Sequence, residues 1–223
     1  SEACAMTTIS IRELRPDDID DYCRFLTAHF YGHEPLLQTP GDHQIVTDSP
    51  EKRETRLAVI RQGLSLVAVD DSAGGRIVGS AYAEEMVPND LQLNWRKVNE
   101  QQPATFLDHV HLFISGVELR SKFFERFAVS KALFLNILTV DATVRNQGLG
   151  RRLVAALMEL GRSRGYPLIA TSCTSLFSTR VMTALGMSCV HSELYASYKD
   201  EAGNAVVKPP APHTAVNIMA MQL

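Results

Sequence analysis

The order of apolar and polar positions along the 223-residue chain predicts a succession of strands and helices. The stretch "TISIREL" alternates apolar and polar residues, which is typical of a half-buried strand. The next segment, 16–32, starts at Pro16 with aspartates close behind it and carries its apolar residues on one helical face. It therefore predicts a helix. A second helix is predicted over 49–64, with Ser49 as its N-cap.

The middle of the chain predicts a hairpin, a helix and a buried strand. Residues 65–86 form two strand-like runs around a turn of Asp, Ser and Gly residues, which is typical of an antiparallel hairpin. The polar stretch from Val87 to about Pro103 has no clear period and receives no element. Apolar positions from Phe106 to Val117 predict a further helix, and the run "ALFLNILTV" predicts a buried strand.

The last third of the chain continues this alternation. A leucine stripe over 149–160 predicts a helix, "PLIATSCT" a strand and "SLFSTRVMTALG" a short helix. The segments "SCVHSELYASY" and "HTAVNIMAMQL" are both strand-like. The whole predicts an α/β (α+β) fold, in which helices flank a mixed central sheet.

Composition limits the classes of partner. The 22 basic and 25 acidic residues give a net charge of −3, which predicts neither a nucleic acid nor an anionic membrane as the main partner. No stretch approaches the roughly 18 apolar residues that span a bilayer. The four cysteines lack metal-ligand spacing, so we expect reduced thiols, a cytoplasmic location and no metal. A single domain is expected over 6–223, with a monomer favoured, and residues 1–5 are interpreted as a cloning remnant.

The hexapeptide "RNQGLG", 145–150, lies between a predicted buried strand and a predicted helix. A helix that begins there presents its free backbone N–H groups to an anion at the end of the strand. Gly148 and Gly150 allow close backbone approach, and Arg145 adds a charged donor. A tight structural turn is the alternative, and the hexapeptide alone does not decide between them.

Two familiar nucleotide-binding motifs are not met by this turn. A P-loop requires Gly-Lys-Ser/Thr, and no lysine follows Gly148 or Gly150. The dinucleotide fingerprint requires a third glycine, where this chain has Leu153, and an acidic residue about 20 positions onward, which is missing. A different phosphate-containing ligand is therefore favoured.

The turn resembles the acetyl-CoA signature of the GNAT acetyltransferases, which is Arg or Gln, two residues, Gly, any residue, then Gly or Ala. Arg145, Gly148 and Gly150 meet this pattern, and the order of elements from about Ile9 to Leu223 is similar to the GNAT fold. The stretches "HFYGHEPL", "CTSLFSTRVMTALG" and "KPPAPHTAVNIMAMQL" resemble the insect-type arylalkylamine N-acetyltransferases. This resemblance implies acetyl-CoA as co-substrate and an amine of the dopamine, serotonin, tyramine or octopamine type as acceptor.

Acetyl transfer to an amine needs a base, because an ammonium ion has no lone pair with which to attack a thioester. The resemblance implies Glu34, in the "EPL" motif, as this base. Pro35 disfavours helical geometry at Glu34 and so predicts an extended backbone there. The alternative is a solvated carboxylate at a helix exit.

The leaving thiolate benefits from an acid. The resemblance implies a pair of hydroxyls four residues apart, which are Thr174 and Ser178 here, where the family pattern has Ser at both positions. The alternative is that Thr174 or Ser175 caps the following helix and that Ser178 bonds to a preceding carbonyl. Cys173 lies nearby but is not expected to carry the acetyl group.

The remaining site residues follow from the implied fold. A backbone N–H between Leu138 and Val140 is expected to hold the oxyanion. The expected cofactor-binding residues are Leu138, Val140, Arg145, Gln147, Gly148, Leu149, Gly150 and Ser175. The expected substrate-binding residues are Tyr31, Pro35, Leu36, Phe177 and His213, where a purely structural role for His213 is the alternative.

Two other functions stay open at this point. The same fold accepts agmatine, a polyamine or a protein lysine as acetyl acceptor, and one sequence does not distinguish them from an arylalkylamine. A non-catalytic domain that binds acyl-CoA is the third hypothesis. The carboxylate and hydroxyls at the implied catalytic positions speak against that domain.

Overall fold

The computed structural model describes residues 8–223, so the expected remnant at 1–5 lies outside the described residues. A seven-stranded sheet runs through it in the order β1-β2-β3-β4-β5-β7-β6, and the β4–β5 pair is parallel while the other neighbours are antiparallel. The strands are β1 (Ile9–Glu13), β2 (Leu66–Asp70), β3 (Arg76–Met86), β4 (Ala132–Val140), β5 (Leu168–Cys173), β6 (Ser188–Leu194) and β7 (Ala215–Gln222). The predicted mixed sheet is confirmed.

The helices cover both faces of this sheet. They are α1 (Ile19–His29), α2 (Pro50–Ile60), α3 (Pro88–Glu100), α4 (Phe106–Ser121), α5 (Phe123–Phe127), α6 (Leu149–Ser163) and α7 (Leu176–Ala184). Leu153 and Leu157 of α6 are fully buried in a core with Leu135 and Ile169 of the sheet. A second core holds aromatic residues of α4, α5 and β4, among them Phe134. The sheet is therefore an inner layer between helices, as its apolar runs predict.

The structure contains two helices that the sequence did not predict, α3 and α5, and it ends α1 earlier than expected. The polar stretch that received no element contains α3, whose start is fixed by Pro88 and by the Asp90 carboxylate, which accepts the Val87 N–H at 2.8 Å. Leu91, Trp95 and Val98 share one face of α3, where Leu91 is buried and the other two are partly buried, so the apolar stripe is narrow. Helix α1 ends at His29, which is before the predicted stop at Gly32.

The parallel strands β4 and β5 separate after a short ladder. Their pairing covers Leu133 to Leu135 against Ile169 to Thr171. β4 then continues to Val140, paired on its β3 side. A register shift between Tyr82 and Ala83 leaves Asn136 as an extra residue in β4, which is a β-bulge at the point of separation. The two strands thus open a cleft in the sheet.

Within residues 8–223, no helix is both long enough and apolar enough to cross a bilayer.

Candidate active site

A cleft of about 920 Å³ occupies the opening between β4 and β5. Its walls come from the end of α1 and the loop after it, the outer half of β4, the start of α6, the end of β5 and α7. The sequence-predicted residues in its lining are Glu34, Pro35, Leu138, Val140, Arg145, Gly148, Leu149, Gly150, Thr174, Ser175, Phe177, Ser178 and His213. Residues far apart in the chain therefore meet in one concave space, as in most small-molecule sites.

The start of α6 forms the end of the cleft that is suited to an anion. Gly148 is the N-cap of α6 and has φ 66° and ψ 22°, a left-handed conformation that glycine adopts without a steric cost. The N–H groups of the first turn of α6 have no acceptor within the helix and point to its positive end. Arg145, Arg151 and Arg180 line the same cleft. Backbone donors and guanidinium groups thus line one cleft, and both kinds of donor suit a pyrophosphate.

Gly150 lies where the first turn of α6 faces β4 and α7. A Cβ atom built on Gly150 lies 3.7 Å from Val140 Cγ2, 3.8 Å from Leu138 Cδ2 and 4.0 Å from Phe177 Cζ. These are ordinary contact distances, so one methyl group fits. A longer side chain has to extend into the cleft among these three residues.

We therefore expect Gly150→Leu to raise the KM for acetyl-CoA at least about tenfold, because its side chain takes up cofactor space. Leucine is a good helix former, so the thermal unfolding temperature should hold. Gly150→Ala is the matched control and should change this KM less than about threefold. Equal KM values for acetyl-CoA in the Leu and Ala variants would show that the cofactor does not occupy this part of the cleft.

Glu34 lies after α1 and lines the same cleft. Its φ of −67° and ψ of 118° are extended, which agrees with the restriction that Pro35 imposes. The carboxylate caps a short 3₁₀ turn, Pro35–Gln38, by accepting the Leu36 N–H at 3.2 Å. Burial raises the pKa of Glu34, and the hydrogen bonds from Thr174 and Leu36 partly offset this rise. A carboxylate with a raised pKa is a better proton acceptor than an exposed one.

Thr174 follows β5 and lines the cleft together with Glu34. Its side chain lowers the pKa of the Glu34 carboxyl and so opposes the effect of burial. The backbone carbonyl of Thr174 accepts a hydrogen bond of 2.6 Å from the hydroxyl of Tyr195, a fully buried residue. Tyr195 thus fixes the Thr174 backbone.

The two serines of α7 bond to each other. Ser175 is the N-cap of α7 and accepts the Ser178 N–H at 3.0 Å. The two side-chain oxygens are 2.9 Å apart, and the Ser178 hydroxyl also lies 3.1 Å from the Ser175 carbonyl. This is the capping arrangement that the sequence leaves open as an alternative. Both hydroxyls also line the cleft, so a ligand there has access to them.

Cys173 and His213 complete the end of the cleft near α7. Burial raises the pKa of the Cys173 thiol to about 12, so this thiol stays protonated at neutral pH. His213 Nδ1 accepts the Leu176 N–H at 3.3 Å, which places the proton of a neutral ring on Nε2. His213 therefore binds the start of α7 and also faces the cleft.

Three sequence-predicted residues lie outside the cleft lining. The Tyr31 hydroxyl accepts a hydrogen bond from Arg56, and the Tyr31 ring lies 5.7 Å from Lys52 Nζ, so this residue packs against α2. Leu36 is 3% exposed and belongs to the core beside α4, because the 3₁₀ turn directs it inward. Gln147 is exposed in the turn before α6. The structure therefore does not bring these three residues into the cleft lining.

The cleft also contains functional candidates that the sequence analysis did not select. These are Asn136 and Ser172 at the strand opening, Arg151 on α6 and Arg180 on α7. Arg151 follows the glycine motif directly, so its place in the first turn of a phosphate-facing helix was a usable signal. Asn136 and Ser172 depend on the separation of β4 and β5, which no local pattern predicts.

Comparisons with known proteins agree with this geometry. The model of the acetyltransferase (GNAT) family matches residues 42–187. The chain belongs to this family. As a GNAT acetyltransferase it is expected to use acetyl-CoA, and the basic end of the cleft offers donors for the phosphates of that molecule. Glu34 lies before the matched range.

Solved structures resemble this GNAT acetyltransferase over nearly the whole chain. A Drosophila melanogaster polyamine N-acetyltransferase that forms N-acetylagmatine is 26% identical, with a TM-score of 0.86 over 97% of this chain and 100% of its own. Arylalkylamine N-acetyltransferase 2 from Aedes aegypti is also 26% identical, with a TM-score of 0.86 over 96% and 99%. A mosquito arylalkylamine N-acetyltransferase-like 5b shares the fold at 24% identity, with a TM-score of 0.85 over 97% and 100%.

Proposed function

We propose that this GNAT acetyltransferase transfers the acetyl group of acetyl-CoA to the primary amine of an arylalkylamine of the dopamine, serotonin, tyramine or octopamine type. Amine and acetyl-CoA bind together, and the amine attacks the thioester directly. The observation that carries the proposal is the position of Glu34. This half-buried carboxylate with a raised pKa shares one cleft with the anion-suited start of α6.

In this proposal Glu34 removes a proton from the ammonium ion, directly or through water. The amine nitrogen then carries a lone pair and forms a bond to the thioester carbon. Thr174 supports this step, because its hydroxyl holds the carboxylate in its ionised form until the proton arrives. The backbone cap from Leu36 limits the carboxylate to a narrow range of orientations.

The carbonyl oxygen becomes negative when the carbon–nitrogen bond forms. Backbone groups of Leu138 to Val140 on the β5 side of β4 are available to stabilise it, because β5 no longer pairs with this part of the strand. The carbon–sulfur bond then breaks, the CoA sulfur takes up a proton, and the amide loses its second ammonium proton. Ser178 is our candidate for the hydroxyl that donates to the sulfur.

A polyamine or agmatine is the second candidate acceptor. The polyamine N-acetyltransferase that forms N-acetylagmatine and the Aedes enzyme are equally identical to this chain, so similarity alone does not choose between their acceptors. Phe177, 62% exposed at the cleft, supplies apolar surface suited to an aromatic ring. A non-catalytic acyl-CoA-binding domain has no use for a buried base, which disfavours that hypothesis.

The experiment for this proposal is steady-state release of free CoA with dopamine, serotonin, tyramine, agmatine, spermidine and a lysine peptide as acceptors. We expect kcat/KM to be higher for the aromatic ethylamines than for the others by at least about tenfold. Turnover of agmatine or spermidine alone would show that the acceptor is agmatine or a polyamine, and the mechanism of acetyl transfer would stand. Binding of CoA without turnover of any amine would favour a sensor.

Direct transfer also predicts that Cys173 is dispensable. We expect Cys173→Ala to keep kcat within about threefold of the wild type, because a thiol whose pKa is about 12 supplies almost no thiolate. Steady-state CoA release with tyramine measures this. Loss of activity in a folded Cys173→Ala protein, together with acetyl groups retained on the wild-type chain, would indicate a covalent route.

A further inference from the structure

Asn136 and Ser172 occupy equivalent positions at the opening between β4 and β5. Leu135 and Thr171 are the last paired residues of the two strands, and Asn136 and Ser172 follow them directly. Both residues line the cleft. They stand on opposite sides of the point at which the strands separate.

Each of these two side chains donates one hydrogen bond to a carboxylate behind the cleft. Asn136 Nδ2 donates to Glu84 Oε2 at 2.8 Å, and Ser172 Oγ donates to Glu118 Oε1 at 2.7 Å. When these carboxyl groups are ionised they only accept hydrogen bonds, so Asn136 and Ser172 are the donors in that state. The amide oxygen of Asn136 and the lone pairs of Ser172 Oγ are then left for a ligand in the cleft.

The groups behind these side chains are acidic. Glu118 is 8% exposed within α4, and burial together with the neighbouring Glu84 raises the pKa of Glu118 to about 7. Burial raises the pKa of Glu84 as well, and Asp90 of α3 adds to this rise while Asn136 opposes it. A cation bound nearby would favour the ionised form of both carboxyls.

Thr139 independently indicates that the part of β4 that lines the cleft is suited to a polar ligand. Its hydroxyl, on the same strand as Asn136, is buried and has no hydrogen-bond partner within residues 8–223, and the residue is 5% exposed and lines the cleft. A buried hydroxyl without a partner costs free energy, which a ligand that donates or accepts a hydrogen bond would recover.

We propose that Asn136 and Ser172 bind the cationic nitrogen of the acetyl acceptor as a pair of hydrogen-bond acceptors, with Glu84 and Glu118 as the positioning residues that orient them. The inference rests on the proposed function and adds the residues that recognise the amine. The cleft thus has a basic end for the cofactor and, at the strand opening, a wall that accepts hydrogen bonds from an ammonium or guanidinium group.

The test is calorimetric titration of tyramine, and separately of agmatine, into the protein saturated with CoA, which does not require turnover. Ser172→Ala is expected to weaken binding of the amine at least about tenfold, because a hydrogen bond to a charged group is lost. Glu118→Gln keeps an acceptor for Ser172 but loses the charge, and is expected to weaken binding by about threefold to tenfold above pH ~7. Binding of CoA should change less than about twofold in both variants.

The matched control is Glu125→Gln, which removes one negative charge at an exposed position of α5 outside the cleft lining. It should bind amine and CoA as the wild type does. In steady-state assays the Ser172 and Glu118 variants should raise the KM for the amine and leave kcat at saturating amine within about threefold.

The inference is overturned if neither amine binds to the wild type, or if Ser172→Ala and Glu118→Gln bind the amine as tightly as Glu125→Gln. Amine binding that depends on Ser172 without any acetyl transfer would refute the proposed function and retain this amine site. Acetyl transfer with an unchanged KM for the amine in both Ser172→Ala and Glu118→Gln would retain the proposed function and refute this amine site.

Discussion

Replacing Glu34 by Gln is expected to lower kcat/KM for the amine by about 10²–10⁴ near pH 7, because the variant lacks a base for the ammonium proton. The glutamine oxygen can still accept the Leu36 N–H, so the 3₁₀ turn should persist. The KM for acetyl-CoA should stay close to that of the wild type. Steady-state CoA release measures both values.

The pH profile separates loss of a base from a general disturbance. The wild-type rate should fall as the pH drops through the pKa of Glu34, which burial raises, since the protonated carboxyl no longer accepts a proton. The Glu34→Gln rate should instead rise with the free-amine fraction towards the amine pKa of about 10. The two profiles would then converge at high pH. Parallel profiles would contradict the assignment of Glu34 as base.

Thr174 supplies a control within the same assay. Its hydroxyl lowers the pKa of Glu34, so Thr174→Val should raise this pKa further and move the acidic limb of the profile to higher pH. Thr174→Ser keeps a hydroxyl and should return the limb towards its wild-type position. If the acidic limb of the pH–rate profile does not move in Thr174→Val, a group other than Glu34 controls that limb.

Replacing Asp141 by Ala is expected to lower the free energy of unfolding by about 2–4 kcal/mol. The Asp141 carboxylate is 1% exposed and accepts hydrogen bonds of 2.8 Å from the Thr143 N–H and the Thr143 hydroxyl. It also accepts one of 2.8 Å from Arg76, whose half-exposed side chain adds little to stability. Asp141 caps the short turn that leads to Arg145, so the KM for acetyl-CoA should rise too. Urea unfolding and steady-state kinetics measure the two effects.

Asp70→Ala is the matched control for Asp141→Ala. Asp70 caps the turn between β2 and β3 in the same way, by accepting the Ser72 N–H at 3.0 Å, but it lies outside the cleft lining. Asp70→Ala should lose stability and keep the wild-type KM for acetyl-CoA. If both variants raise this KM equally, the turn before Arg145 has no special role in cofactor binding.

The Asp141 effect should also depend on pH. Although burial opposes it, the hydrogen bonds from Thr143 and Arg76 hold the pKa of Asp141 below its usual value. The contribution of Asp141 to the free energy of unfolding is therefore complete above the pKa of an unfolded aspartate, about 4. This contribution is lost as the pH falls through the pKa of Asp141 in the folded protein. The difference in stability between the wild type and Asp141→Ala should narrow in that range.

Local patterns were sufficient to predict the elements that define the cofactor end of the cleft. The apolar run of β4, the glycines of the turn and the leucine stripe of α6 are all short-range signals, and the structure contains each of them. Helix α3 was not predicted because its inward face carries a narrow apolar stripe, Leu91, Trp95 and Val98, within a mostly polar stretch. The extended backbone at Glu34 followed from Pro35 alone.

The contacts that complete the site join distant parts of the chain. The Tyr195 hydroxyl reaches the Thr174 carbonyl, and Glu118 of α4 reaches Ser172 of β5. Such pairs depend on how helices pack on the sheet, and a single sequence carries no local signal for them. Leu36 was expected in the substrate pocket because it is near Glu34 in the chain, but the 3₁₀ turn directs it into the core.

Direct transfer of the acetyl group within one cleft is tested most directly by a single-turnover reaction with acetyl-CoA labelled in the acetyl group, tyramine and excess protein. We expect the label to pass to N-acetyltyramine at the rate of CoA release and none to be found on the protein. Label on the protein before it reaches the amine, or acetyl-CoA that stays intact with tyramine bound, would contradict direct transfer.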